Sequence, residues 1–143
     1  METNGRHRVP PLLAHYLLLG AIAILSGIVQ QFPSWREVTG VDPGLLPFLV
    51  MIVAGFLTAS VASFLEGAVS GMLVGFLGAA AGTLFEHLSG APGAGNFRTV
   101  FAYIAIMTCL GPLFAAVGGA GGTLLRHLVE HRQRQDLNPH SPD

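Results

Sequence analysis

Four stretches of this chain run about as far as a bilayer crossing without a formal charge. Residues 9–35 and 99–125 each give 27 such positions, residues 43–65 give 23, and residues 67–85 give 19. A helix rises about 1.5 Å per residue, so about 20 mainly apolar residues cross roughly 30 Å of hydrocarbon. All four stretches satisfy that length. Charged residues make up 10% of the chain and hydrophobic ones 51%. A soluble domain would carry about a quarter charged. A water-soluble globule, a disordered chain and a disulfide-stapled secreted scaffold are all excluded on these grounds. The expectation is an all-α integral membrane bundle of four transmembrane helices, with spans at about 12–29, 45–65, 68–84 and 99–125. No repeat of fixed period divides the chain, so residues 10–126 read as one domain, with tails at 1–9 and 127–143.

Turn and capping residues fall where these spans require them. Pro10 and Pro11 suit the first turn of span 1, where a missing N–H costs nothing. Asp42 and Pro43 read as an N-cap followed by proline at the first helical position, and Asn96 can cap span 4 in the same way. Residues 89–96 have turn chemistry throughout. Between spans 1 and 2, Ser34 and Glu37 form a capping-box pattern around a short interfacial helix, with Trp35 at headgroup level. Residues 43–85 as one helix would measure about 65 Å, twice what a bilayer buries. The chain must therefore reverse near Glu66 and Gly67, which puts the Glu66 carboxylate at the interface. The alternative is a broken helix with Glu66 inside the bilayer.

Orientation follows from arginine. An even number of spans puts both tails on one side, where Arg6, Arg8, Arg126, Arg132 and Arg134 lie; the other side has Arg36 and Arg98. The positive-inside rule then makes both ends cytoplasmic, in a multi-pass protein of the cell membrane. A signal-peptide reading of span 1, with cleavage after Ala23, is disfavoured because the apolar run continues to Val29.

Span 3 is sorted by size. At 100° per residue, Gly67, Gly71, Gly75, Gly78 and Gly82 share one side, while Val69, Met72, Leu73, Phe76 and Leu77 share the other. Val74 and Phe85 break the division. Small-residue faces let helix backbones approach closely, which is a main source of helix association in lipid. Gly55, Ala59, Ala62 and Ser63 offer span 3 a matching surface, and Gly111, Ala115, Gly118 and Gly122 form a stripe on span 4. These residues pack the bundle; a homo-oligomeric interface or sliding helices is the second reading. Span 4 must also tilt, extend or break, because 27 residues measure about 40 Å. Pro112 removes a backbone hydrogen bond mid-span, and residues 118–122, four glycines around Ala120, are the weakest helical segment.

Chemistry-bearing groups are sparse. Glu86 and His87 are adjacent and diverge by 100° on a helix, so they do not chelate one ion. His127 and His131 have i, i+4 spacing, but Arg126 and Arg132 repel a cation there. Cys109 is the one cysteine, and no nucleophile motif or phosphate-binding loop is present. No catalytic residue, metal ligand or cofactor is assigned, and no enzyme is expected. Glu66 and His15 remain as functional candidates, because ionisable groups are costly in a membrane. A net charge of −1 gives no nucleic-acid footprint.

The segment Phe64-Leu-Glu-Gly67 leads into the glycine-spaced helix 68–82, and Ala115-Ala-Val-Gly-Gly-Ala-Gly-Gly122 precedes a charged tail. Together they resemble a family of small glycine-rich, four-span prokaryotic membrane proteins of unknown function, best known from halophilic archaea. The chain lacks a longer polar insertion after Leu65-Glu66-Gly67 and an acidic surface bias. The resemblance implies the same four-span architecture and no known activity, cofactor or active site.

The expected function is a non-enzymatic structural or accessory membrane protein, with the lipid bilayer and a homo-oligomer or larger membrane complex as partners. The alternative is a small homo-oligomeric channel or transporter, with residues 111–122 as a broken helix and Glu66 or His15 near its path.

Overall fold

The computed structural model describes residues 11–32, 34–40, 42–90 and 95–137. Expectations for residues 1–10, for 91–94 in the loop, and for the end of the tail beyond 137 lie outside them.

The described residues are helical, with no strand among them. The order is α1 (Pro11–Val29), α2 (Ser34–Thr39), a 3-10 turn (Pro43–Leu45), α3 (Leu46–Val61), α4 (Phe64–Leu88) and α5 (Phe97–Leu137). Three segments are long and apolar enough to cross a membrane: Pro43–Val61, Phe64–Leu88 and Phe97–Gln133. A shorter apolar helix covers Leu13–Val29. These helices make the chain membrane-embedded, and its surface agrees: Leu17, Leu25, Val53, Phe101, Leu113 and Val117 are all exposed. Such a surface is costly in water and ordinary in lipid.

Local chemistry sets the helix ends. Asp42 accepts from the Gly44 N–H at 2.9 Å and Pro43 starts the 3-10 turn before α3. Asn96 Oδ1 accepts from the Thr99 N–H and hydroxyl, both at 3.0 Å, before α5. At the other end of α4, Gly90 takes φ +66°, the left-handed conformation that closes a helix with least strain in glycine. The short helix α2 forms as expected, yet no Ser34–Glu37 capping bond occurs among the described residues.

One expectation needs correction, and one alternative falls away. The chain reverses at Ala62 and Ser63, ahead of the expected Glu66–Gly67 turn, which is helical. The physical reason is Ser63, which is the N-cap of α4 and accepts from the Glu66 N–H at 3.2 Å, while its hydroxyl donates to Glu66 Oε2 at 2.7 Å. The broken helix of the channel alternative is also not seen, since 111–122 lies within one continuous helix. Gly111, Gly118 and Gly122 lie against neighbouring backbone, so packing outweighs their low helix propensity. A Cβ at Gly118 would collide with the Ile52 carbonyl, and one at Gly122 with that of Phe56.

The same contacts give the direction of each helix. Gly67 faces Gly55 and Ala59 while Gly75 meets Met51, so α3 and α4 are antiparallel; Gly71 faces Gly111 and Ala115 and Gly75 faces Met107, so α4 and α5 are too. Gly78 and Gly82 lie against Ala23 and Gly27, which makes α1 parallel to α4. One side of α4 thus serves three partners in succession: α3, then α5, then α1. Val74, an exception in the size pattern, is 2% exposed and joins Leu19, Met51, Ala54 and Met107 in the core.

Candidate functional site

The start of α1, the end of α3 and the start of α4 meet at one end of the bundle, and both candidate ionisable residues lie there. His15 Nε2 is 3.0 Å from Thr58 Oγ1. Thr58 is fully buried, one of three buried polar residues among those described, with Ser26 and Ser70. Ser70 donates to the Gly67 carbonyl at 2.7 Å and Ser26 to that of Ala23 at 2.8 Å. Every buried hydroxyl is therefore satisfied, which is the condition for keeping it in an apolar core.

An imidazole beside a hydroxyl is the beginning of a nucleophile–base pair. The remaining parts are missing among the described residues. No carboxylate orients His15; its ring instead meets Tyr16 edge-on at 6.0 Å. Thr58 is inaccessible in the last turn of α3, where backbone N–H groups are committed to the helix and offer no oxyanion donors. The pair is an interhelical clasp between α1 and α3.

Glu66 is separate from that clasp. It stands in the first turn of α4, where a carboxylate favours the helix dipole, and lies within electrostatic reach of Tyr16. Beside it, Arg126 of α5 donates through Nη1 to the carbonyl of Ala62, the C-cap of α3. That bond occupies an orphan carbonyl at a helix C-terminus, where positive charge is also favoured. Arg126 Nε is 3.5 Å from Glu130 Oε1. Arginine here ties α5 to the α3–α4 hairpin, a role that sequence position alone did not reveal; the one available signal was an arginine directly after the uncharged run.

No group of three or more His, Cys, Asp or Glu residues able to hold a metal occurs among the described residues. Cys109 is exposed on α5. His127 and His131 are both exposed on the far part of α5. The packing residues Gly55, Ala59, Gly67, Gly71, Gly75, Gly78, Gly82, Gly111, Ala115, Gly118 and Gly122 are all buried. At the opposite end of the bundle lies a cleft that sequence reading did not find, between the end of α4 and the start of α5.

Comparison with family models, with curated proteins and with solved structures finds no match for this chain.

Proposed function

We propose that this chain is a four-span membrane protein, both ends cytoplasmic, acting as a non-enzymatic structural or accessory subunit of a larger membrane assembly. The observation that carries this reading is the use of polar groups in the core. Among the described residues the buried polar ones are Ser26, Thr58 and Ser70, and each is spent on a hydrogen bond within the bundle; Trp35 Nε1 and Arg126 Nε are the buried side-chain atoms left without one. Among the described residues a single copy therefore has few buried polar groups to line a hydrophilic path, and its small-residue contacts serve internal packing. What it presents outward is apolar helix surface, suited to lipid and to neighbouring spans. The arginine distribution supports the cytoplasmic ends.

Native mass spectrometry of the protein gently extracted from its own membrane tests this. The reading expects a stoichiometric complex with a different protein. A defined homo-oligomer whose liposomes conduct an ion, with flux altered by Glu66→Gln, would overturn it in favour of a pore. Glu66→Gln is a cleaner probe than Gly118→Leu, because Gly118 abuts the backbone of Ile52.

A further inference from the structure

The cleft between α4 and α5 has two lobes of different character. The larger, about 380 Å³, is mainly apolar and is walled by Leu84, Phe97 and Ile104, with His87 on its edge. The smaller, about 240 Å³, is lined by Gln31, Glu86, Thr99 and Tyr103. Thr83, Gly95 and Val100 border both, so the lobes adjoin. Each lobe is near the size of a small-molecule site, which pairs an apolar enclosure with a few convergent polar groups.

Glu86 gives the cleft its charge. It makes no ion pair or side-chain hydrogen bond among the described residues. It also stands in the last turn of α4, which ends at Leu88. A carboxylate there opposes the negative end of the helix dipole, so it does not stabilise its own helix. Beside it, the half-buried Tyr103 lines the same lobe. Arg98 lines neither lobe. An unpaired carboxylate, an aromatic ring and an adjoining apolar chamber complement one ligand chemistry: positive charge on an apolar body.

We propose that this cleft binds a small lipophilic organic cation of the quaternary-ammonium class, with its charge at Glu86 and its apolar body between Leu84, Phe97 and Ile104. The proposal goes beyond the accessory reading and does not rest on it. A few hundred cubic ångströms suit one ring or a short alkyl body, which selects a small molecule over a two-chain lipid.

The test is titration calorimetry on the intact purified protein, using phenyltrimethylammonium and, as an anion of similar size, benzenesulfonate. The cation is expected to bind and the anion not. Glu86→Gln, which keeps the side chain's shape, should weaken cation binding about tenfold or more, while Glu37→Gln leaves it unchanged. Tyr103→Phe keeps the ring and should retain most of the affinity. Equal binding of both probes, no binding of the cation, or full affinity in Glu86→Gln would each overturn the proposal. So would an ammonium phospholipid that co-purifies with the wild type and is lost in Glu86→Gln, with no cation titration in either protein. The comparison of two probes on the wild type stands even if a variant fails to fold.

Discussion

At the scale of single residues, the polar groups of this chain act mostly as fasteners. Thr58 and His15 illustrate the economics of a buried hydroxyl: left alone it would cost a few kcal/mol, and paired across helices it returns a modest net gain. A double-mutant cycle with His15→Phe and Thr58→Val measures that gain. The expected coupling is about 0.6 kcal/mol, and at most about 1.7, by reversible unfolding in detergent. Additive effects would mean that the two residues do not interact. Neither partner announces the other in the sequence, because they stand 43 positions apart on different helices. The same is true of Arg126 and Ala62. Periodicity places a residue on a face, whereas a cross-helix bond depends on which faces meet and in what register.

At the scale of elements, the lesson is that a glycine's worth depends on what lies opposite. Gly118 and Gly121 are three positions apart on α5 and differ completely. A Cβ at Gly118 would collide with the Ile52 carbonyl, whereas one at Gly121 would sit 3.4 Å from the Phe56 ring, an ordinary contact. Gly118→Ala should therefore destabilise by about 1–3 kcal/mol. Gly121→Ala should be neutral or stabilise by up to about 1 kcal/mol, since alanine is the better helix former. Thermal unfolding of both variants in detergent checks the pair; equal losses would contradict it. Much of the element level was legible in advance. Uncharged runs located the long helices, though α4 and α5 extend beyond theirs to Phe64–Leu88 and Phe97–Leu137; Asp42 and Asn96 marked two starts, and the small face of span 3 was visible as spacing. Length demanded a reversal near Glu66 and Gly67 without fixing its residue. Ser63 caps the helix three residues earlier, and a carboxylate in a first turn is stabilising. Low glycine propensity likewise suggested a weak segment at 118–122, but propensity is a local term and close packing overrode it.

At the scale of the whole molecule, the helix directions bring the start of α1 and the far part of α5 to the same end of the bundle. With 41 residues, α5 measures about 60 Å, roughly twice the hydrocarbon thickness, so it must project well beyond the lipid. Membrane character was plain from composition and the lengths of the uncharged runs. The cleft at the other end was not, because Gln31, Glu86 and Tyr103 come from three separate stretches of sequence. The short member of the set is α1: its 19 residues measure about 28 Å, close to the roughly 30 Å of hydrocarbon, so a fourth span rests on this helix. Side-specific cysteine labelling in intact and permeabilised cells decides the matter, in a chain with Cys109→Ser and single cysteines at Thr3, Val38, Ser63 and Gln133. Four spans predict that Thr3, Ser63 and Gln133 positions label from the cytoplasm and the Val38 position from outside. Labelling of the Thr3 and Gln133 positions from opposite sides would mean that α1 does not cross, and would contradict the four-span bundle.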